Sequence, residues 1–232
     1  MFSERYLYLW LNILSISLPL VFSFYSKAPF HKTWKHLWIA IAIPALIFIV
    51  WDEWFTQIGV WGFNPRYLSG VYLGSLPLEE ILFFVCIPYA CVFTYFALNY
   101  LVKTDYFGPY QYGITWALVI SLVLLGALNI TKWYTAVTLI SLAIYLVILV
   151  WWVKPAYLGR FYFAYLFILI PFFIVNGILT GSLIEQEVVW YNPAEQLDIR
   201  MGTIPVEDTF YGMLLILMNV SILEYLEKKK IP

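Results

Sequence analysis

The sequence predicts an all-α, polytopic membrane protein with about seven transmembrane helices, arranged as two parallel three-helix repeats joined by a linking helix. Of its 232 residues, 63% are hydrophobic and only 12% are charged, and the mean hydropathy is +0.82. Soluble domains carry roughly 25% charged residues, so we expect the chain to lie in a membrane. A motif found once in each half indicates the duplication. The formal net charge of −1 gives no reason to expect a nucleic-acid partner.

Seven apolar stretches are long enough to cross the hydrocarbon core of a bilayer, which takes about 20 residues in a helix. Pro44, Pro88 and Pro171 lie inside three of these stretches and are expected to bend the helices. The first stretch has spanning length and no small-residue cleavage pattern after it, so no cleavable signal peptide is expected. The predicted spans are 5–25, 36–51, 79–102, 112–130, 133–153, 160–179 and 206–226.

The distribution of Lys and Arg predicts the orientation, since basic residues are enriched in cytoplasmic loops. Nine basic residues fall on one side of the predicted membrane and four on the other. We therefore expect a multi-pass protein of the cytoplasmic membrane with its amino terminus outside and its carboxyl terminus inside. Both long loops, 52–78 and 180–205, then lie on the outer face. The nine are Lys27, Lys32, Lys35, Lys103, Lys154, Arg160, Lys228, Lys229 and Lys230, and the four are Arg5, Arg66, Lys132 and Arg200.

A shift of 128 residues brings the second half of the chain into register with the first. Upstream the frame slips by about three residues and pairs FIVWDEWF, from residue 48, with FIVNGILT, from residue 173. Spans 1, 2 and 3 thus correspond to spans 5, 6 and 7, and span 4 restores the orientation of the second copy. We expect a first repeat over 1–104, a linking span over 105–131 and a second repeat over 132–232. The matched positions include Asn64-Pro65 with Asn192-Pro193, Gly74 with Gly202, Pro77 with Pro205, and Glu79-Glu80 with Glu207-Asp208.

Each half places two adjacent acids at the start of its last span, Glu79-Glu80 in one and Glu207-Asp208 in the other. One interpretation is an ordinary helix start, where acids complement the helix dipole. The other is a functional site. Only 15 uncharged residues separate Asp208 from Glu224, so the acids are expected at the edge of the hydrocarbon, where ionisable groups usually have a function. A pseudo-two-fold axis along the membrane normal would bring the four carboxylates together.

Clustered carboxylates beside apolar rings suit acid–base chemistry. Aromatic residues follow three of these acids at i+4, namely Phe83, Phe84 and Tyr211. Desolvation and mutual repulsion disfavour the anions, so such a cluster can hold a proton at neutral pH while one member stays ionised to receive one.

Five polar residues are candidates to support the acids. Asp52 ends span 2 as a further acid or a counter-ion, and Asn176, its near-equivalent in span 6, is a buried amide that needs a partner. Asn64 and Asn192 each precede a proline, which suits turn initiation, although both can also hydrogen-bond the acids. Arg66 either interacts with one of the acids or marks a loop.

Four segments resemble the integral-membrane lycopene cyclases: WDEWFTQIGVWGFNPRYLSG, LPLEEILFFVCIPYACVFTY, VNGILTG and IPVEDTFYGMLLILMNVSILEY. That family includes heterodimeric bacterial cyclases, the cyclase part of fungal bifunctional enzymes and fused two-half forms. Its P-x-E-[ED] signature occurs once in each half, and the chain is similar to a fused form without the fungal phytoene synthase extension. One departure is Asp208, where the first half has Glu80.

The resemblance implies a lycopene β-cyclase, an enzyme that converts ψ end groups into β-ionone rings, from lycopene through γ-carotene to β-carotene. A proton adds at C2, the neighbouring alkene closes a six-membered ring on the tertiary cation, and loss of the C6 proton gives the β-ring. No net redox occurs, so we expect no cofactor and no metal, and the chain has no nucleotide-binding motif and no metal-spaced His or Cys cluster. The expected catalytic residues are Glu79, Glu80, Glu207 and Asp208, with Glu79 and Glu80 as the leading pair, supported by Asp52, Asn64, Arg66, Asn176 and Asn192.

Aromatic faces are expected to stabilise the carbocation without trapping it, and exclusion of water prevents its hydration. The expected partners are lycopene, other carotenoids and membrane lipid, because a hydrocarbon substrate reaches the site from the bilayer. If the four acids are catalytic, Glu79→Gln or Glu207→Gln abolishes ring formation and leaves folding intact. The expected cation-stabilising residues are Trp61, Phe83, Phe84 and Tyr211.

Several alternatives remain open at this stage. An ε-ring cyclase differs only in the proton that leaves, and a carotenoid hydratase would share the cation but admit water to it. A proton-coupled transporter also uses membrane acids, although it would be expected to carry them at mid-span. A retinal protein needs a lysine inside the last span, which has none. The sequence also leaves open the oligomeric state, any association with other carotenoid enzymes, and the number of active sites.

Overall fold

The computed structural model describes residues 4–228, and within that range seven helices are long and apolar enough to cross a membrane, as predicted. Lys229 and Lys230, which contribute to the orientation argument, lie outside the described residues. The helices are α1 (Leu7–Phe22), α2 (Trp34–Gln57), α3 (Leu78–Leu101), α4 (Gln111–Leu128), α5 (Trp133–Ile148), α6 (Leu158–Leu179) and α7 (Val206–Lys228).

Helix α2 extends six residues beyond its predicted end at residue 51. The predicted span ends immediately before two charged residues, Asp52 and Glu53. In the structure, however, Asp52 is buried inside the protein, and Glu53 accepts hydrogen bonds of 2.8–3.1 Å from the backbone N–H and hydroxyl of Ser75. Both carboxyls thus have a place within the fold, and the helix continues past them.

The two long loops contain the same elements in the same order. Each has a short strand, a 3₁₀ turn that begins at the proline of an Asn-Pro pair, and a hairpin of two two-residue strands. The hairpin turns begin with Gly74 and Gly202, whose φ angles are 66° and 69°, as a type II′ turn requires. The strands are β1 (Trp61–Phe63), β2 (Tyr72–Leu73) and β3 (Leu76–Pro77) in the first loop, and β4 (Val189–Tyr191), β5 (Arg200–Met201) and β6 (Ile204–Pro205) in the second.

Strands β1 and β4 join the two loops through an antiparallel ladder. Gly62 and Trp190, which are equivalent under the 128-residue shift, pair with each other, so the register maps onto itself when the repeats are exchanged. The indole of Trp190 covers Gly62 so closely that a Cβ atom there would lie 2.4 Å from the ring. The ladder therefore supports a pseudo-two-fold relation between the repeats.

The helices pack in pairs that also follow this relation. Helix α1 packs on α3 as α5 packs on α7, and α2 packs on α7 as α6 packs on α3, while α4 lies against α5. At the amino terminus, the Arg5 guanidinium donates to the Ser69 carbonyl at 2.9 Å and Glu4 pairs with Arg66 at 2.8 Å. The start of the chain and the first long loop therefore lie on the same side of the helices, while the sidedness in the membrane stays a prediction.

Candidate active site

A cavity of about 650 Å³, which we call the cleft, lies between α1, α3, α6 and α7. Its walls are largely apolar and include Leu14, Leu18 and Ile174, whose side chains are exposed on the outside of the helix bundle. The cleft therefore opens sideways, between α1 and α6, towards the lipid. Along α3 its lining runs from Glu80 to Thr94, a length of about 21 Å at a rise of 1.5 Å per residue.

Polar groups are concentrated at the end of the cleft nearest the two long loops. Three buried carboxyls line this end, one each from α2, α3 and α7, and four tyrosines lie beside them. These helices begin or end at the loops, which brings acids from distant parts of the sequence together. The carboxyls are Asp52, Glu80 and Asp208, and the tyrosines are Tyr8, Tyr134, Tyr191 and Tyr211.

Two acids of the repeated motif, Glu80 and Asp208, line the cleft, and each accepts a hydrogen bond from a tyrosine. The Tyr8 hydroxyl donates to Glu80 Oε2 at 2.6 Å, and the Tyr134 hydroxyl donates to Asp208 Oδ1. Tyr8 and Tyr134 are both the second residue of their helices, so corresponding positions in the two repeats make these hydrogen bonds. Asp208 receives a further bond, because Tyr191 donates to Oδ2 at 3.0 Å.

Tyr191 lies on β4, outside the spans. It hydrogen-bonds Asp208 and lies near enough to Glu80 and Asp52 for their charges to act on it. Burial raises the pKa of the Tyr191 hydroxyl well above its usual value, and the charge of Asp208, followed by those of Glu80 and Asp52, raises it further. The hydroxyl therefore stays protonated at neutral pH and acts as a hydrogen-bond donor to Asp208.

The other acid of each pair faces the loops. Glu79 Oε1 accepts from the backbone N–H of Ser69 at 2.7 Å, and Glu207 Oε1 accepts from that of Leu197, also at 2.7 Å. Ser69 and Leu197 are 128 residues apart, so this contact is repeated as well. In the part of the chain that the structure describes, Glu79 and Glu207 are not among the residues lining the cleft. Their contacts connect each long loop to the start of α3 or α7.

The two Asn-Pro pairs form turns. Asn64 Oδ1 accepts from the N–H of Arg66 at 3.1 Å, and Asn192 Oδ1 accepts from the N–H of Ala194 at 3.0 Å. These bonds match the turn-initiation interpretation, since Asn commonly accepts from the backbone two residues on. The alternative, that these amides hydrogen-bond the acids, is wrong for the contacts described in residues 4–228, because their donors reach Gln186 and the Gly59 carbonyl instead.

Arg66 is a loop residue that pairs with acids outside the cleft. Its guanidinium contacts Glu4 and Glu185, each at 2.8 Å. Hydrogen bonds to these two carboxylates raise the pKa of Arg66. Among the ion pairs described, none joins Arg66 to the four motif acids, so the interpretation of Arg66 as their partner is corrected. Asn176 lines the cleft, as Asp52 does, but its side chain is partly exposed, so the expectation of a buried amide is wrong.

Three of the four predicted cation-stabilising residues, Trp61, Phe83 and Tyr211, line the cleft. Phe84 is absent from the lining within the described range and is fully buried against Phe48, with ring centroids 6.1 Å apart. The lining of α3 follows positions 80, 83, 87, 90, 91 and 94, and residue 84 falls beside this stripe on the flank towards α2. Sequence spacing alone placed Phe84 on the wrong side.

Sequence analysis missed Tyr8, Tyr134 and Tyr191, which donate hydrogen bonds to Glu80 and Asp208. Tyr191 is equivalent to Phe63 in the repeat, so its hydroxyl has no counterpart there. Tyr8 and Tyr134 align only in a third frame, shifted by 126 residues, where their neighbours share little similarity. The weak signal was a tyrosine in the first turn of both spans.

The family model described as lycopene cyclase matches residues 5–98 and 131–226, which is most of the chain and includes both acid pairs. The chain belongs to the lycopene cyclase family. Membership in this family implies an enzyme, and the seven apolar helices make it a multi-pass membrane protein.

One curated relative shows the same similarity over a shorter segment. The chain is 41% identical over 64 residues to a protein of Phycomyces blakesleeanus described as a bifunctional lycopene cyclase/phytoene synthase. The aligned segment covers 27% of this chain and 10% of that relative. No solved structure matches the chain.

Proposed function

We propose that this lycopene cyclase family member converts the ψ end groups of lycopene into β-ionone rings at the polar end of the cleft. The observation that carries the proposal is the cleft itself, which is apolar, open to lipid, and has three buried carboxyls at one end. A linear hydrocarbon can enter sideways from the bilayer and place one end against the acids while the rest of its chain extends along the apolar walls.

Proton delivery is assigned to Glu80 together with Asp52. Asp52 lies close enough to Glu80 for their charges to interact, and neighbouring buried carboxyls cannot readily both ionise. The pair therefore retains a proton. Asp52 Oδ2 makes no hydrogen bond of normal geometry among the described residues, and the Trp61 indole N–H, which also lacks such a partner, is the donor that interacts with this carboxyl. A proton held here faces an apolar cleft, where an alkene can take it up.

Proton acceptance is assigned to Asp208. Two tyrosine hydroxyls, those of Tyr134 and Tyr191, donate to its two oxygens. This arrangement suits an ionised carboxylate, which accepts hydrogen bonds and cannot donate one. Asp208 can then remove the proton that completes the ring. The β-ring follows from loss at C6, and this specificity comes from the resemblance to the family.

Aromatic faces at the same end stabilise the carbocation between these two proton transfers. Trp61 packs against Tyr134 at 5.1 Å and against Tyr211 at 6.1 Å between ring centroids, so the rings form a continuous wall beside the acids. Each ring facing a cation contributes about 0.5–2 kcal/mol, the larger values applying where water is excluded.

Expression in a bacterium that accumulates lycopene tests the proposed function. We expect lycopene to be replaced by carotenoids with β-rings, identified by chromatography and mass spectrometry. Unchanged lycopene in the presence of folded membrane protein would refute the proposal. Rings of the ε type would refute the β assignment, and hydrated acyclic products would indicate that water reaches the cation.

Tyr8→Phe and Tyr134→Phe test the tyrosine bonds to the acids. We expect each variant to cyclise lycopene about 10- to 100-fold more slowly, because a hydrogen bond to a charged group is worth about 1.5–3 kcal/mol. Initial rates in membranes with saturating lycopene provide the measurement. Tyr110→Phe is the matched control, since Tyr110 is exposed before α4. Wild-type rates in both cleft variants would show that these hydroxyls do not influence the acids.

A further inference from the structure

Exchange of the two repeats relates the cleft to a second position in the fold. The exchange replaces α1, α2 and α3 by α5, α6 and α7, and the reverse. The cleft lies between α1, α3, α6 and α7, so its counterpart lies between α5, α7, α2 and α3. We propose that the chain has a single substrate cleft, which Gly212 keeps open, and that aromatic residues fill its counterpart. This inference rests on the proposed function and concerns how a polyene with two identical ends is processed.

An aromatic cluster occupies the counterpart position. Phe48 and Phe84 are fully buried, with ring centroids 6.1 Å apart, and Trp51 lies 5.4 Å from Phe48. Tyr211 closes the cluster from α7, 4.9 Å from Phe48. These rings pack between α2, α3 and α7 as part of the main hydrophobic core, so a polyene chain has no room on this side.

The equivalent residues on the cleft side are smaller or turned away. In the 128-residue frame Phe84 corresponds to Gly212, and in the frame that pairs FIVWDEWF with FIVNGILT, Trp51 corresponds to Asn176. Gly212 and Asn176 both line the cleft. The equivalent of Phe48 is Phe173, which is 40% exposed on the lipid-facing side. The open cleft thus results from substitutions in one copy of a duplicated core.

The surroundings of Gly212 show what a larger side chain would do. A Cβ atom at this position would meet the Tyr165 hydroxyl at 3.5 Å and the Phe172 ring at 3.7 Å, which are ordinary contacts. Alanine therefore fits without strain. Further atoms would have to extend into the cleft, as the Phe84 ring extends into the core on the other side.

The carboxyls of the cleft show the same asymmetry. Glu80 comes from the first repeat and Asp208 from the second, yet both line the same cleft. Asp52 corresponds to Gly177 in the second repeat, so the set of three carboxyls occurs once among the described residues. Both ends of the substrate therefore react in turn at one site, and the one-ring intermediate leaves the cleft and re-enters with its other end.

Gly212→Phe tests the open cleft. We expect it to slow formation of both the first and the second ring by about 100-fold, because the substrate end is displaced from the acids. Gly212→Ala should retain activity, and Gly113→Phe is the matched control, since Gly113 lies on α4 with no atom within 4 Å of its Cβ position. Yield and monodispersity in detergent verify folding. Normal two-ring product from folded Gly212→Phe, or normal first-ring formation with loss of only the second ring, would overturn the proposal.

Exchange of the intermediate provides a test in the wild-type protein. Proteoliposomes converting isotopically labelled lycopene receive an excess of unlabelled one-ring carotenoid. If the intermediate leaves the cleft, labelled one-ring carotenoid is expected to accumulate at the expense of labelled two-ring product. Conversion of labelled lycopene into labelled two-ring product without labelled one-ring carotenoid, despite the excess, would overturn its release. An inactive wild-type protein would contradict the proposed cyclase function itself, which separates the two failures.

Discussion

Glu80→Gln and Asp208→Asn are each expected to reduce ring formation by about 10²- to 10⁴-fold, the range that general acid–base catalysis contributes. Both substitutions nearly preserve side-chain shape. Glutamine at position 80 can still accept from Tyr8, whereas asparagine at position 208 keeps one acceptor oxygen for the two tyrosines that donate to different oxygens of Asp208. The amides cannot donate or accept the transferred proton under these conditions. Initial rates of lycopene loss and ring formation, with protein quantified in each membrane preparation, measure the effect.

Glu187→Gln is the control for these variants, because Glu187 is exposed on the second long loop. Glu79→Gln and Glu207→Gln then decide between the two members of each pair. The sequence-based expectation is that they abolish ring formation, whereas their contacts with Ser69 and Leu197 lead us to expect a smaller loss, since glutamine can still accept both bonds. Equal losses at all four positions would contradict the division into cleft acids and loop-anchoring acids.

Much of the fold is predictable because a bilayer imposes a simple requirement on the sequence. Apolar stretches of about 20 residues are readily recognised, and the seven predicted helices are all observed. The acid pairs stand out because charge is rare in such a chain. The boundaries between the repeats and the linking span stay a prediction, as does the orientation in the membrane.

The arrangement of the site was harder to predict because it depends on rotation about each helix. Adjacent residues on a helix differ by about 100°, so Glu79 and Glu80 point in different directions. A duplicated pair of acids therefore supplies one cleft residue and one loop contact from each copy. Which acid of each pair lines the cleft depends on how α3 and α7 pack against their neighbours. The hydropathy of the sequence does not indicate this packing.

The symmetry of the repeats also concealed a structural difference between the two sides of the protein. The sequence emphasises positions that match, and these form the hairpins, the Asn-Pro turns and the helix starts. The cleft instead depends on positions that do not match, such as Gly212 opposite Phe84. Duplication thus accounts for the framework, and differences between the copies account for the cleft in which we propose that the substrate binds.

Asp52→Asn is expected to reduce ring formation by about 10²-fold, although Asp52 lies outside the repeated motif. Asp52 is buried in the cleft and close to Glu80, so its loss removes one of the two groups that share the transferable proton. Asparagine has nearly the same shape and needs no ionisation, so folding should be retained. Rates and thermal stability in detergent, measured on the same preparations, separate a catalytic loss from a structural one.

Glu53→Gln is the matched control because it makes the same chemical change at the next residue of α2. Glu53 faces the β2–β3 hairpin, where glutamine can still accept from the backbone N–H of Ser75. A large loss at Asp52 with near-normal activity at Glu53 would support a proton shared between Asp52 and Glu80. Equal rates in the two variants would restrict the proton donor to Glu80. Gly177 occupies the position equivalent to Asp52 in the second repeat. Equal rates in the Asp52 and Glu53 variants would therefore also weaken the argument that a set of three carboxyls is needed and is present on one side of the protein.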